Sequence, residues 1–240
     1  MLKNPKFSII IPTLNEEKYL PRLLKSIKSQ DYKNYEIIVV DSHSTDMTES
    51  IARHYNARVL LSKKGNIARA KNTGIKAACG EIIAFIDADM VLANGLLHAV
   101  HLAFRDDTKL AAVEPSQKLN KEDTSKKNSL LFNLVTKLVW LNKEITFKTH
   151  FPAATGCVFC RRNLVAKAGL FNERLLVSED REYYHRLSKY GTFRIISNYA
   201  LVSFRRQEKE GLIKPALKYY KSDVSSFLLK SVKKGMKPER

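Results

Sequence analysis

Two aspartates, Asp87 and Asp89, directly follow five consecutive apolar residues, Ile82 to Ile86. Continuous hydrophobicity of this length predicts a central strand covered on both faces. If the segment stays extended, both carboxylates point to one side, about 6 to 7 Å apart. Like charges this close need a cation or strong donors, and oxygen ligands favour Mg²⁺ or Mn²⁺ completed by a substrate phosphate. A solvated turn is the alternative, because Asp-Ala-Asp alone is a weak signal.

The elements that must position these acids begin with a predicted strand at Phe7 to Ile11. A turn at Pro12 to Asn15 follows, and acidic residues suited to the helix dipole predict a helix that begins near Glu16 and Glu17. A turn from strand to helix is a natural edge for a ligand site.

A second strand, Tyr35 to Val40, completes a βαβ unit and delivers Asp41 to the edge where open α/β sheets collect nucleotides. Asp41 could hold a base or a ribose there. The alternative is a helix N-cap, which Ser44 or Asp46 could provide equally well.

A third strand, Ala57 to Leu61, leads to a basic segment, Lys63 to Gly74, which opens a helix predicted to reach Ala78. A glycine before a helix start offers backbone donors to phosphate. Arg69 and Lys71 could neutralise a diphosphate, and a solvated basic face explains the pattern equally well.

Four motifs in this order resemble glycosyltransferase family 2: Ile-Ile-Pro-Thr-Leu-Asn-Glu, Val-Val-Asp-Ser, Ala-Arg-Ala-Lys-Asn-Thr-Gly and Phe-Ile-Asp-Ala-Asp. The resemblance covers about residues 5 to 205 and continues at Ala154-Thr-Gly156 and Ser178-Glu-Asp180. It implies the GT-A fold, an α/β domain with a mixed, mainly parallel sheet flanked by helices. We assign this domain to residues 1–210 and a basic amphipathic helix to residues 211–240.

The resemblance also implies the roles of individual residues. In the family, the first two motifs hold the nucleoside and the Asp-x-Asp motif binds the diphosphate through a divalent metal, Mn²⁺ or Mg²⁺. We therefore expect Asp87 and Asp89 to contact the sugar, the ribose and the metal. The residues assigned to donor binding are Pro12, Thr13, Asn15, Glu16, Asp41, Lys64, Gly65, Arg69, Asp87, Ala88 and Asp89.

On the acceptor side, the matching positions are Thr155, Gly156 and Glu179. In inverting members, the Asp of the Glu-Asp pair is the general base, which maps onto Asp180 at the start of a helix predicted to reach Tyr190. Helix dipoles favour acids at this position whatever their role. The family often has a histidine or an aromatic-basic motif where this chain reads Ala200 to Arg206, so the third metal ligand stays open. Arg205 and Arg206 could instead meet a pyrophosphate or a lipid phosphate.

Composition bounds the partners and the compartment. The chain has 240 residues, is 44% hydrophobic and carries a net charge of +18, which predicts one core and anionic partners. It shows neither an RNA-binding signature nor a recognition helix, so we expect no nucleic acid partner. Cysteines 79, 157 and 160 form an odd set suited to reduced thiols. Because we also find no secretory signal, we expect a cytoplasmic protein.

Two further segments bear on membranes. Apolar stripes beside lysines at residues 130–141 and 211–240 fit helices that lie on an anionic membrane surface or pack against the domain. Neither segment contains the 18 apolar residues that a spanning helix needs. We expect peripheral association with the cytoplasmic face.

Taken together, these features predict a metal-dependent inverting glycosyltransferase. It would move a sugar from a UDP-, GDP- or dTDP-sugar to a hydroxyl of a lipid-linked or other membrane-presented acceptor. One alternative is a polyprenyl-phosphate sugar synthase, whose acceptor is already ionised and needs no base. Another is a non-catalytic module that binds nucleotides or nucleic acid through its basic faces.

Overall fold

A computed structural model describes residues 4–120, 156–175, 178–203 and 205. Its strands are β1 (Phe7–Thr13), β2 (Tyr35–Asp41), β3 (Arg58–Leu61), β4 (Ile82–Ile86), β5 (Val91–Leu92), β6 (Leu110–Leu119), β7 (Cys157–Arg161) and β8 (Thr192–Val202). Its helices are α1 (Leu20–Lys28), α2 (Thr48–His54), α3 (Ile67–Ala77), α4 (Leu96–Asp106), α5 (Arg162–Ala168) and α6 (Glu179–Leu187).

The strands form one mixed sheet in the order β3-β2-β1-β4-β7-β6-β8-β5. Strands β1 to β4 pair in parallel, whereas β7 runs antiparallel to both β4 and β6. Parallel strands carry their carboxyl ends to one edge, and Thr13 at the end of β1 pairs in register with Asp41 at the end of β2. This sheet confirms the predicted α/β architecture and brings Thr13 and Asp41 to a single edge.

The central strand β4 is buried along its whole length, as its uninterrupted hydrophobicity predicted. One apolar cluster packs α1 and α4 on one face of the sheet, and a second packs α3, α5 and α6 on the other. Two layers of helix therefore cover the strand that ends in the aspartates. Cys157 and Cys160 are fully buried in β7 and help to fill the apolar core.

Several boundaries differ from the sequence prediction. Helix α1 begins at Leu20 and not at Glu16, because residues 16–19 form a turn in which the Glu16 carbonyl accepts from the Tyr19 and Leu20 amides. Helix α3 begins later than expected, at Ile67, because the Asn66 side chain caps it. Helix α6 ends at Leu187, short of the predicted Tyr190.

The predicted helix at residues 130–141 and the predicted tail helix at 211–240 lie outside the described residues. No helix in the described part of the chain combines the length and the apolar character needed to cross a bilayer.

Candidate active site

The two aspartates lie on a tight turn at the carboxyl end of β4. The Met90 amide donates to the Asp87 carbonyl at 3.1 Å, and the Asp87 amide donates to the Gly156 carbonyl at 2.7 Å. The prediction that this segment stays extended is therefore wrong, because the chain turns here to bury Met90 and enter β5. Ala88 inside the turn is buried as well. The turn gives the two carboxylates different partners.

Gly156 fits closely against this turn. Its φ of +61° lies in the left-handed region, and a Cβ there would sit 3.2 Å from Asp87 Oδ2. A side chain would thus be strained in its backbone and crowded against the carboxylate. The resemblance places Gly156 on the acceptor side, and the structure places it beside Asp87. Thr155, which was assigned to the acceptor side together with Gly156, lies outside the described residues.

A buried lysine from α3 joins the acids of α6. The Lys71 ammonium lies 2.5 Å from Asp180 Oδ1 and 3.6 Å from Glu179 Oε1. The Lys71 side chain is only 4% exposed, whereas that of Asp180 is 26% exposed. A solvated basic face, one of the two explanations for this segment, is therefore wrong for Lys71. The Asp180 carboxylate therefore stays accessible to solvent while the buried Lys71 ammonium pairs with it.

Charge crowding shifts the pKa values of this cluster. Burial opposes the charge of Lys71, but Asp180, Asp87 and Glu179 outweigh it and hold the pKa of this lysine above its ordinary value. Burial raises the pKa of Asp87 to about 7, with Asp89, Asp180 and Glu179 adding to the rise and Lys71 opposing it. Burial and Asp180 also raise the pKa of Glu179. The cluster therefore carries more negative charge than one lysine balances.

The second aspartate, Asp89, pairs with Arg205. The Arg205 Nε lies 3.0 Å from Asp89 Oδ2, and its two Nη atoms each lie 2.6 Å from a carboxylate oxygen of Glu16. The guanidinium also covers the Tyr19 ring, 4.5 Å from its centroid. Arg205, expected to meet a phosphate, thus links the acid turn to the β1–α1 loop. Arg206 lies outside the described residues.

Asp41 lies at the junction of two loops. Its buried carboxylate accepts from the Thr13 hydroxyl at 3.0 Å, from the Ser44 amide at 2.9 Å and from the Ser44 hydroxyl at 2.5 Å. It is Asp46 that accepts from the Thr48 amide at the start of α2, at 3.0 Å. Asp46, the residue before the N-cap Met47, therefore binds the first amide of the helix, whereas Asp41 fixes the ends of β1 and β2.

Asn15 ties the same loops together from the other side. Its backbone amide donates to the Ser44 hydroxyl at 2.8 Å, and its side-chain oxygen accepts from the Thr45 backbone amide at 2.8 Å. Its φ of +56° is a conformation that asparagine tolerates better than most residues. Pro12 is half-buried at the end of β1. The predicted nucleoside residues therefore form one cross-linked edge.

The residues predicted to bind phosphate lie at and just before the start of α3. Lys64 and Gly65 are exposed, and Gly65 has a φ of +87°. The Asn66 side chain accepts from the Arg69 amide at 3.1 Å, and Arg69 Nε lies 2.9 Å from Glu173 Oε2. Arg69 thus neutralises a carboxylate of its own chain, a partner that no sequence pattern indicated.

A divalent cation fits the charge of this site. In the part of the chain that the structure describes, five carboxylates face two cations, Lys71 and Arg205, which leaves a net charge of −3 if all are ionised. Among the described residues, no three His, Cys, Asp or Glu side chains are grouped as a complete ligand set. The chain would therefore supply the carboxylates of Asp87 and Asp89, and phosphate oxygens or water would supply the rest. The carboxylates counted are those of Glu16, Asp87, Asp89, Glu179 and Asp180.

The sequence is similar to those of known glycosyltransferases. A family model described as "Glycosyl transferase family 2" matches residues 8–165. A Campylobacter jejuni protein, "GalNAc(5)-diNAcBac-PP-undecaprenol beta-1,3-glucosyltransferase", is 36% identical over 104 residues, which are 39% of this chain and 32% of that protein.

Two solved structures are similar in fold. TarS of Staphylococcus aureus in complex with UDP-GlcNAc has a TM-score of 0.65 and 22% identity over 82% of this chain and 58% of that one. The mannosyltransferase PcManGT of Pyrobaculum calidifontis, in complex with GDP-Man and Mn²⁺, has a TM-score of 0.63 and 21% identity over 83% of this chain and 57% of that one. This chain spans less than two thirds of the length of all three proteins.

Proposed function

Because the chain belongs to glycosyl transferase family 2 and is a glycosyltransferase with the GT-A fold, we propose that it transfers a sugar from a nucleotide diphosphate donor to an acceptor hydroxyl, with inversion. The observation that carries this proposal is the arrangement of Asp180. Its carboxylate is partly exposed, is held by Lys71 and shares its cluster with Asp87 of the acid turn.

In this mechanism Asp180 is the general base. As the acceptor oxygen bonds to the anomeric carbon, the Asp180 carboxylate takes the hydroxyl proton. The bond from that carbon to the diphosphate oxygen breaks at the same time, and its electron pair leaves with the nucleoside diphosphate. Single displacement inverts the anomeric configuration and requires no covalent intermediate.

The donor would bind along the edge formed by the ends of β1, β2 and β4. Thr13, Asn15 and Asp41 lie on the cross-linked loops that would hold the nucleoside. Asp87 and Asp89 would hold a divalent cation, Mn²⁺ or Mg²⁺, which would neutralise the leaving diphosphate when bound. The net negative charge of the cluster supports this assignment, and Mn²⁺ accompanies GDP-Man in the PcManGT structure.

For the acceptor, we propose a hydroxyl of a lipid-linked glycan. The name of the Campylobacter jejuni relative includes an undecaprenol-linked glycan, and the net charge of +18 favours an anionic surface. We therefore also propose that the protein works at the cytoplasmic face of a membrane, held peripherally by the basic segment 211–240.

A donor screen tests the proposal. Purified protein would be incubated with UDP-GlcNAc, UDP-glucose, GDP-mannose and dTDP-sugars, with Mn²⁺ or with EDTA, while nucleoside diphosphate release is measured. We expect release from one nucleotide class that requires the metal and rises when extracted lipid-linked glycans are added. Micromolar binding of random DNA without release from any donor would favour the non-catalytic module instead.

A further inference from the structure

Lys71 occupies a position that neither the donor nor the acceptor assignment explains. It lies within α3, its side chain is 4% exposed, and its ammonium reaches Asp180 on α6, 109 residues further along the chain. A buried ammonium is costly unless it is paired. Such a cation is retained here amid three carboxylates, those of Asp87, Glu179 and Asp180.

A rigid support holds the lysine in this position. The side chain of the neighbouring Asn72 donates to the Phe171 carbonyl at 3.0 Å and accepts from the Phe171 amide at 2.8 Å. The Phe171 ring stacks on Tyr183 of α6 with centroids 3.8 Å apart, and the Lys71 ammonium lies 5.3 Å from the Phe171 centroid. Residues 71 and 72 thus lock α3 to the helix that carries Asp180.

We propose that Lys71 is a positioning residue for the transfer reaction, whose buried ammonium fixes the carboxylate of Asp180 where the acceptor hydroxyl must arrive. This inference rests on the proposed role of Asp180 as the base. Without Lys71, repulsion among the three carboxylates would turn Asp180 towards solvent, since its side chain is already 26% exposed. Proton transfer depends on hydrogen-bond distance, so the chemical step would suffer while the donor loops stay intact.

The charges around Lys71 predict a second effect of its removal, on metal binding, that is opposite in sign to the effect on turnover. Removing Lys71 takes away the positive charge that lies beside Asp87, Asp180 and Glu179. A divalent cation at Asp87 would then gain attraction that the lysine previously weakened. Loss of Lys71 should therefore slow turnover while Mn²⁺ binds as tightly as before or more tightly, whereas a loss of structure would weaken both.

The test is a double-mutant cycle between Lys71→Met and Asp180→Asn, with Lys76→Met as the matched control. Lys76 is exposed and lies on the same helix. We expect Lys71→Met to lower kcat by roughly 100-fold or more, and Lys76→Met to leave it unchanged. Isothermal titration with Mn²⁺ and UDP should give Kd values for Lys71→Met no higher than for the wild type. Because Lys71 acts through Asp180, the double variant should be no slower than Asp180→Asn alone.

Circular dichroism would check folding. If Lys71→Met does not fold, Lys71→Met/Glu179→Gln removes one cation and one anion together and replaces it in the cycle. The proposal is overturned if loss of Lys71 changes kcat less than threefold, or if it slows the Asp180→Asn enzyme as much as it slows the wild type. Wild-type turnover in Asp180→Asn would instead overturn the base assignment itself, a failure that the cycle separates from a failure of Lys71.

Discussion

Replacing Asp87 with asparagine should stabilise the metal-free protein while it destroys the donor site. The surroundings raise the pKa of Asp87 from 3.8 to about 7, even though Lys71 opposes the rise. Ionisation of this carboxylate at neutral pH therefore destabilises the folded protein. At about 1.4 kcal/mol per pKa unit, a rise of about 3 units destabilises the folded protein by about 4 kcal/mol. Because Asp87 keeps partial access to solvent, we expect a destabilisation of about 2 to 4 kcal/mol.

The pH dependence of this gain has a defined sign. Between pH 3.8 and about 7 the folded state holds the Asp87 proton more tightly than the unfolded state does. Wild-type stability therefore falls through this window as pH rises, whereas asparagine does not titrate. The stabilisation by Asp87→Asn should be near zero at pH 4 and complete above pH 7. At pH 8 it should raise Tm by roughly 4 to 16 °C.

The assay is thermal unfolding in EDTA, followed by circular dichroism at pH 4, 6 and 8. Asp89→Asn is the matched control, because Asp89 pairs with Arg205 at 3.0 Å and its loss should not stabilise the protein. Titration of UDP with Mn²⁺ should show that Asp87→Asn weakens binding. Lower stability of Asp87→Asn than of the wild type at pH 8, or an equal effect at pH 4 and pH 8, would contradict the raised pKa of Asp87.

Three other outcomes are expected. Asp41→Ala should weaken UDP binding, measured by calorimetry, by about 1 to 3 kcal/mol, because the Thr13 and Ser44 donors lose their acceptor; unchanged affinity would leave Asp41 a purely structural role. Gly156→Ala should cost about 1 to 2 kcal/mol in urea unfolding, because its φ is +61°, and wild-type stability would contradict this. Removing residues 211–240 should abolish sedimentation with anionic liposomes and leave donor turnover intact; vesicle binding by the truncated chain would shift the role to residues 130–141.

Much of the frame was predictable because it depends on local patterns. The uninterrupted apolar run at Ile82 to Ile86 identified the central strand, and it is buried throughout. The ends of β1 and β2 were placed together because parallel strands share an edge. Helix starts were less predictable, since the turn at residues 16–19 and the Asn66 cap depend on individual hydrogen bonds.

The partners of the charged groups could not be predicted. Lys71 meets Asp180 across 109 residues, and Arg205 meets Glu16 across 189. From the sequence alone, both basic residues were interpreted as phosphate ligands. The sequence shows that a residue is charged, but it does not show which other residues lie near it in the fold. Arg69 shows the same limit, since its carboxylate partner Glu173 lies in a segment that contains no motif. Only the packing of α3 against α6 distinguishes a buried counter-ion from a phosphate ligand.

The most direct test of the central claim is the turnover of Asp180→Asn, measured as Mn²⁺-dependent transfer from the preferred sugar nucleotide to a hydroxyl acceptor. Asparagine preserves the size of the side chain but cannot accept the proton, so turnover should fall by roughly 100-fold to 10,000-fold. Calorimetry should show UDP binding unchanged. If Asp180→Asn instead transfers sugar at the wild-type rate, Asp180 is not the base and a hydroxyl acceptor loses its support. Full activity towards a polyprenyl phosphate would then identify an acceptor that arrives already ionised.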